Sequence, residues 1–298
     1  MGKLISWLLK EPKGVTASDQ FILLFFKAIY IASRILLRIA LGKKRRDRLF
    51  LEKELNFHSY MYKAIKFLRL HNFIVLKFSV PKYDYKVCVR INGEDFGIMT
   101  SHEDDIIEHF CPKEGDVFLD IGAHIGRYTI IGSKRIGENG KVVAVEPHPG
   151  NFEMLNRNIK LNGLTNVTTL NCAVYDKEMR VRLYLTDEFG SSGHHSLIVE
   201  TREKFVEVNA NTLDYLSQLL GIGEVNWIKI DVEGAEFEVL KGAHNVLTNS
   251  KDLTLLIEVH SPDLFKLIME LLRSYNCKLE FEKSYGDGQM HIIVRKSR

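Results

Sequence analysis

Cysteine is scarce in this 298-residue chain and forms no pattern: Cys88, Cys111, Cys172 and Cys277 lie far apart, with no C-x-x-C pair. That spacing argues against a disulfide framework or a zinc site and for isolated thiols in a reducing compartment. A dominant charge is missing too. Lys and Arg number 41 against 38 Asp and Glu, and a net charge of +3 is too small to imply a nucleic-acid partner. Internal repeats and low-complexity tracts are absent. So is a cleavable signal peptide: the apolar start is short and runs into Glu11 and Pro12, so a cytoplasmic protein is expected, at the inner face of a membrane if it touches one. What the chain does have is an ordinary globular share of apolar residues, 45%, and a length beyond one typical domain. A main domain with an appendage is the expectation.

Composition marks three zones. Residues 1–50 are apolar and basic, with only Glu11, Asp19 and Asp47 as acids, and are expected to form an amphipathic basic helical segment. Within residues 21–41, Lys27, Arg34 and Arg38 fall on one helix face, while Phe25, Ile29, Leu36 and Leu37 lie elsewhere. Lys43, Lys44, Arg45 and Arg46 follow. A membrane-spanning helix tolerates three such cations poorly, whereas a helix lying in the surface sets them on anionic headgroups. Peripheral membrane contact through residues 21–48 is one expectation. The other is a helix packed on this chain or on a second copy in a homo-oligomer, its cations solvated. Residues 51–110 read as a mixed α/β lead-in, with a helix over 49–70 and strand-like runs at 73–80, 85–91 and 96–99. From residue 111 to 298 strand and helix alternate.

That alternation predicts a parallel sheet with helical crossovers. Strands are expected at Val117–Ile121, 141–146, 167–173, 227–231 and 253–259. Helices are expected at Arg127–Ile136, 151–162, 212–220, 236–247 and 262–275. Asn162 and Gly163 form a helix stop, and Thr212 a helix cap. Runs at 278–281 and 291–294, joined through Gly286 and Gly288, predict a closing antiparallel hairpin. Five parallel strands and a hairpin describe an α/β, Rossmann-like seven-stranded sheet of the class I methyltransferase kind, here with an N-terminal helical extension. The stretch 181–208 interrupts the alternation. Its Gly/Ser-rich centre carries His194 and His195, expected to touch an acceptor from a loop, to serve as the base instead, or to be a solvated pair.

The first strand of this zone ends in Asp120, followed by Gly122 and Gly126 and then directly by a helical pattern. Open parallel sheets bind ligands at this end, and glycines let backbone pass close to them. The spacing is not the G-x-G-x-x-G that sets a pyrophosphate on a helix N-terminus. An acid two residues before the first glycine repels a pyrophosphate and attracts an ammonium group. Glu146 ends the second strand, where a carboxylate can accept both hydroxyl hydrogens of a ribose. An ammonium, a ribose and no phosphate describe S-adenosyl-L-methionine. For its adenine, Asn171 and Ala173 near the third strand are the candidates, and both also fit as plain sheet residues.

From about residue 116 to 260 the chain resembles the FkbM family of methyltransferases. The resemblance is carried by Phe118-Leu119-Asp120-Ile121-Gly122-Ala123, by Val145-Glu146-Pro147, by Ile257-Glu258-Val259-His260, and above all by Ile228-Lys229-Ile230-Asp231-Val232-Glu233-Gly234-Ala235-Glu236. It implies S-adenosylmethionine-dependent O-methylation of a hydroxyl on a sugar, glycan, glycolipid or small metabolite. It also implies that Gly122, Ala123, His124 and Gly126 wrap the cofactor. His124 departs from the family, which more often has Asn there; both side chains form hydrogen bonds.

Asp231 and Glu233 follow the fourth strand, where donor and acceptor meet, and Glu233 is a candidate acceptor contact. Asp231, Glu258 and His260 end adjacent strands and are expected to converge. Three readings stay open. His260 is a base oriented by a carboxylate, with no metal; or the three hold a hard divalent cation; or Glu258 and His260 brace strand ends through Lys229 or a loop. Glu236 is expected to start a helix, a structural role at the positive end of its dipole. Two other function classes stand beside methyl transfer. One is a non-catalytic module of the same fold serving assembly. The other is an NAD(P)-dependent oxidoreductase, against which the glycine spacing and the terminal hairpin argue.

Overall fold

The computed structural model describes residues 75–90, 95, 98–99, 103–185, 204–284 and 288–296. The expectations for the N-terminal helical segment, including residues 21–48, and for His194 and His195 lie outside these residues. The chain divides into two compact units, Met1–Phe78 with Cys88–Asn92, and Ser79–Val87 with Gly93–Arg298. Strands β1 (Val75–Val80) and β2 (Tyr85–Arg90) form a two-stranded sheet. Everything described below belongs to the second unit.

In chain order that unit runs α1 (Asp104–Ile107), β3 (Val117–Ile121), α2 (Arg127–Ile136), β4 (Lys141–Val145), α3 (Pro149–Leu161), β5 (Val167–Leu170), β6 (Ala173–Val174), β7 (Met179–Tyr184) and β8 (Phe205–Asn211). It continues through α4 (Leu213–Leu219), β9 (Trp227–Ile230), α5 (Glu236–Lys241), α6 (His244–Asn249), β10 (Thr254–Val259), α7 (Pro262–Ser274), β11 (Cys277–Ser284) and β12 (Met290–Lys296). Seven of these strands form one sheet in the order β11-β12-β10-β9-β3-β4-β5. Strands β5, β4, β3, β9 and β10 are mutually parallel, and β12 runs antiparallel to both β10 and β11. This is the expected seven-stranded architecture, with β3 in the middle of the five parallel strands and the hairpin at one edge.

Strand alternation decides what each face holds. Leu119, Ile121, Ile228 and Ile230 join one apolar core with Leu216 of α4, Leu240 of α5 and Leu272 of α7. A fully buried side chain of this kind contributes roughly 1.5–3 kcal/mol. Phe118 points the other way and packs on Phe110, their centroids 4.9 Å apart, with Gly132 of α2 close over its ring. Asp120 follows Phe118 on that second face, and so does Lys229, its register partner across β9. The parity of β3 therefore sends a carboxylate into the sheet–α2 interface, where it needs polar company.

Several element boundaries differ from expectation. The run 96–99 does not read out as a strand: Asp95, Ile98 and Met99 are helical, because a short apolar run carries no period that separates strand from helix. The helix expected over 236–247 is two, α5 and α6. At the break, a Cβ on Gly242 would lie 2.3 Å from the Tyr175 carbonyl oxygen, so the chain turns where that backbone crosses it. The third strand stops at Leu170, and Ala173 opens β6 in a separate sheet of order β6-β8-β7. The flanks of the interrupting stretch are the antiparallel pair β7 and β8, longer on the β8 side than expected. Thr212 caps α4 as expected, its hydroxyl accepting from the Tyr215 amide at 3.0 Å.

Candidate active site

The turn after β3 is shaped by close backbone approach. Gly122 has φ +78°, and a Cβ there would stand 1.8 Å from the carbonyl oxygen of Asp231. Only glycine lets the β3 and β9 exits touch at this point. The amides of Gly122 and Ala123 both donate to the Val145 carbonyl at 3.0 Å, and the His124 amide donates to Glu146 Oε2 at 2.8 Å. Three successive N–H groups that a phosphate cradle would need are thus directed at the end of β4. Gly126, at φ +99°, precedes α2. His124 itself has φ +51°, and its Nε2 lies 3.9 Å from Asp95 Oδ1.

Glu146 is buried and anchored. Oε1 accepts from the His148 amide at 2.9 Å and from Asn151 Nδ2 at 3.4 Å, while Oε2 holds the His124 amide. Burial pushes its pKa up to about 7, against the His148, His124 and Asn151 donors that favour the charged form. A carboxylate offers about four lone-pair directions, and with two taken on Oε1 and one on Oε2, Oε2 retains capacity for a ribose hydroxyl. Asn171 sits beside it, but its amide nitrogen donates to the Glu146 carbonyl at 2.8 Å and the Pro147 carbonyl at 3.1 Å, clamping the bend that follows β4. Ala173 is buried in β6 and pairs with Ala210.

Asp120 lies fully buried behind the turn. Its Oδ2 accepts from the Thr129 hydroxyl at 2.5 Å, and its Oδ1 is buried with no hydrogen-bond partner among the described residues. Burial raises its pKa, opposed by Lys229 and the Thr129 hydroxyl. Lys229, buried on the same face, donates to the Gly122 carbonyl at 3.1 Å and to Asp231 Oδ2 at 2.8 Å. Burial disfavours its charge, yet Asp231 and Asp120 outweigh that and hold its pKa above the ordinary lysine range. One ammonium thus ties the glycine turn to the first acid of the Asp231 block.

The three residues expected to converge are divided between two clusters. In the first, Asp231, Glu233 and His260 bring one ligand-type atom each within 4.8 Å of one another. His260 Nε2 lies 3.4 Å from Glu233 Oε2, and Nδ1 lies 2.9 Å from Glu236 Oε1. Burial disfavours its charge, but the carboxylates of Glu233 and Glu236 outweigh it and push the pKa up to about 11. In the second, Glu258 and Glu103 flank His291 Nε2 at 3.4 and 3.6 Å, and the Tyr128 hydroxyl donates to Glu103 at 2.8 Å. The strand register explains the division: β10 pairs with β12 so that Glu258 faces His291 across the ladder. His260, past the end of β10, turns instead to the start of α5. Of the bracing expected through Lys229 or a loop, the Lys229 contact is not seen among the described residues, since Lys229 serves Asp231, while His260 does meet Glu233 in the loop after β9.

Four residues of this site were not read as part of it from the sequence. Glu236 does start α5, accepting from the Gly234 amide at 2.8 Å, but it also fixes His260. Glu103 and His291 come from opposite ends of the chain, and Thr129 looks like any helix residue. For Glu236 a signal existed, since a glutamate inside the Asp231 block stands one short turn from the strand end.

The residues present fit S-adenosylmethionine: an anchored carboxylate for a ribose and a glycine turn whose amides are taken. Comparison with known proteins agrees. The family described as Methyltransferase FkbM domain matches residues 120–279, more than half of the chain. "Methyltransferase 1" of Beauveria bassiana is 28% identical over 209 residues, covering 62% of this chain and 83% of that protein. "Hexuronic acid methyltransferase AglP" of Haloferax volcanii is 28% identical over 200 residues, covering 65% and 78%. Among solved structures, methyltransferase FkbM from Methylobacillus flagellatus aligns with TM-score 0.44 and 16% identity over 61% of this chain and 44% of that one. The chain belongs to the FkbM methyltransferase family, and its methyl donor is S-adenosylmethionine.

Proposed function

We propose that the protein is an O-methyltransferase acting on a hydroxyl of a sugar, a glycan or a small metabolite. The observation that carries this reading is the cluster of Asp231, Glu233 and His260 at the strand ends, joined to the cofactor turn by the Gly122–Asp231 contact and by Lys229. When bound, S-adenosylmethionine would supply an electrophilic methyl group to the acceptor hydroxyl, which must give up its proton. The chain's own residues position the partners and handle that proton. Glu146 orients the ribose, which fixes where the methyl carbon stands. Asp231, 26% exposed at its side chain with Lys229 on Oδ2, is the carboxylate available to an acceptor hydroxyl. His260, held between the Glu233 and Glu236 carboxylates, is kept protonated and orients them beside the acceptor. A hydroxyl acceptor suits this set, because carboxylates accept hydrogen bonds from hydroxyls and orient the oxygen lone pair. The hexuronic acid named for the Haloferax volcanii relative supports a sugar acceptor.

The test is product identification. The purified chain is incubated with methyl donor and a panel of sugars, uronic acids and amines, and products are located by mass spectrometry and by the methyl carbon's chemical shift. A methoxy product is expected. Methyl groups found solely on nitrogen or carbon would overturn the hydroxyl assignment.

A further inference from the structure

Lys229 and Asp120 are register partners on β9 and β3, and both are buried, at 7% and 0% exposed. Paired strands lie about 4.8 Å apart, so a hydrogen bond from this ammonium to this carboxylate is within reach. The molecule does not make it. Asp120 takes the Thr129 hydroxyl on Oδ2 and leaves Oδ1 with no hydrogen-bond partner among the described residues. Lys229 Nζ donates instead to the Gly122 carbonyl at 3.1 Å and to Asp231 Oδ2 at 2.8 Å. Leaving a buried carboxylate oxygen unbonded is costly, and a lysine present only to balance core charge would bond Asp120. This one bonds two groups at the strand exits.

Those two groups belong to the two halves of the site. Gly122 opens the turn whose first amides hold the Val145 carbonyl and whose His124 amide holds Glu146 Oε2. Asp231 opens the loop that brings Glu233 to His260. Lys229 therefore closes a hydrogen-bonded path from the carboxylate placed for the ribose to the carboxylate placed for the acceptor. The ring of Tyr128 lies 5.4 Å from Nζ, and the Tyr128 hydroxyl is tied to Glu103. An ammonium with two donors engaged and an aromatic face beside it has little freedom to swing away. Methyl transfer is sensitive to placement at the scale of an ångström, so a group that fixes Asp231 to the donor turn acts on the rate.

We propose that Lys229 is a positioning residue for methyl transfer: it registers Asp231 to the turn that carries the methyl donor, so that filling the donor site orders the acceptor site. Acceptor affinity then rises when the donor site is full, and donor affinity rises by the same factor when acceptor is bound. This rests on the methyltransferase reading and adds to it a coupling between its two substrate sites.

Backbone hydrogen exchange of the full chain, read by mass spectrometry with and without S-adenosylhomocysteine, tests the coupling before any acceptor is known. In the unmutated protein the ligand is expected to slow exchange in both the 122–126 turn and the 231–236 loop. In Lys229→Met the turn should still respond and the loop should not. A loop that responds in Lys229→Met overturns the proposal, as does a loop that never responds in the unmutated protein. Should Lys229→Met not fold, the pair Lys229→Met and Asp120→Asn removes the buried charge left behind. Its unliganded 231–236 loop should then exchange faster than that of Asp120→Asn alone, and equal rates overturn the proposal. With an acceptor from the panel, turnover in Lys229→Met should fall about 10²-fold, the size expected of a misplaced reactant, while S-adenosylhomocysteine affinity changes far less. Lys229→Arg keeps the charge without the compact donor and should not recover that turnover. Full recovery would make Lys229 a counter-charge and overturn its positioning role. Methyl groups found solely on nitrogen would overturn the hydroxyl assignment and leave the coupling, read by exchange, standing.

Discussion

Glu146 shows how a single side chain can serve the ligand at some expense to the fold. Burial raises its pKa to about 7, so the folded chain holds the proton more tightly than the unfolded chain does. For a carboxyl shifted upward, the stabilising contribution is present at low pH and is lost as pH rises toward about 7. Cofactor affinity should run the opposite way, because the ionised carboxylate is the stronger acceptor for a ribose hydroxyl. Calorimetric titration with S-adenosylhomocysteine is expected to show affinity rising as pH passes through about 7. In Glu146→Gln that rise should vanish, and affinity at the alkaline end should fall by about ten- to hundredfold, the equivalent of roughly 1.5–3 kcal/mol for a charged hydrogen bond. The variant's thermal midpoint at that pH should be no lower than that of the unmutated protein.

Gly122 is the second residue on which the site turns. Gly122→Ala combines a positive φ with a Cβ inside the Asp231 carbonyl. Roughly 2–4 kcal/mol of destabilisation is expected from strain and overpacking together, read by denaturant unfolding, with S-adenosylhomocysteine binding lost in whatever remains folded. Gly163→Ala is the control: φ is +65° but nothing lies within 4 Å of the added carbon, so about 1 kcal/mol is expected and binding is retained.

At the scale of elements, the important break lies between α5 and α6. Two short helices place Glu236 at the start of α5 under His260, while α6 docks on α4 through the Asp214 carboxylate, which accepts from the Asn245 and Val246 amides at 2.9 and 3.0 Å. Gly242 makes the break possible without any unusual φ. Gly242→Ala must push the Tyr175 backbone, and a loss of roughly 1–3 kcal/mol is expected. Because the shift reaches α5, turnover should fall more than thermal stability alone accounts for, while cofactor affinity holds. Equal losses in binding and turnover would argue that α5 does not position His260.

For the whole molecule, the network of Glu103, His291 and Glu258 ties the start of α1 to the edge hairpin and to β10. The two carboxylates raise the His291 pKa to about 9 against the effect of burial. A histidine shifted upward contributes stability that is complete below its unfolded value and is lost as pH rises through the folded one. Thermal midpoints are therefore expected to fall as pH rises from about 6.5 toward about 9, with Glu103, Glu258 and the Lys283 register partner as the charged neighbours. In His291→Gln the slope over that window should flatten. A slope unchanged by the substitution would place the titrating group elsewhere.

The sequence by itself determined the sheet, because parallel strands and crossover helices have distinct periods and because the turn glycines are demanded locally. The positions of Asp120, Gly122 and Glu146 at strand ends were legible for the same reason. Helix caps at Thr212 and Asn162 were legible as well, since capping is settled within four residues. Tertiary structure alone decided which groups meet. The antiparallel register of β12 against β10 gave Glu258 to His291, and strand parity turned Asp120 away from the open end and into α2. The break at Gly242 set Glu236 under His260. Pairing between side chains of different elements leaves no local periodicity in the chain, so a site assembled from strand ends has its members written in sequence and its partnerships written only in space.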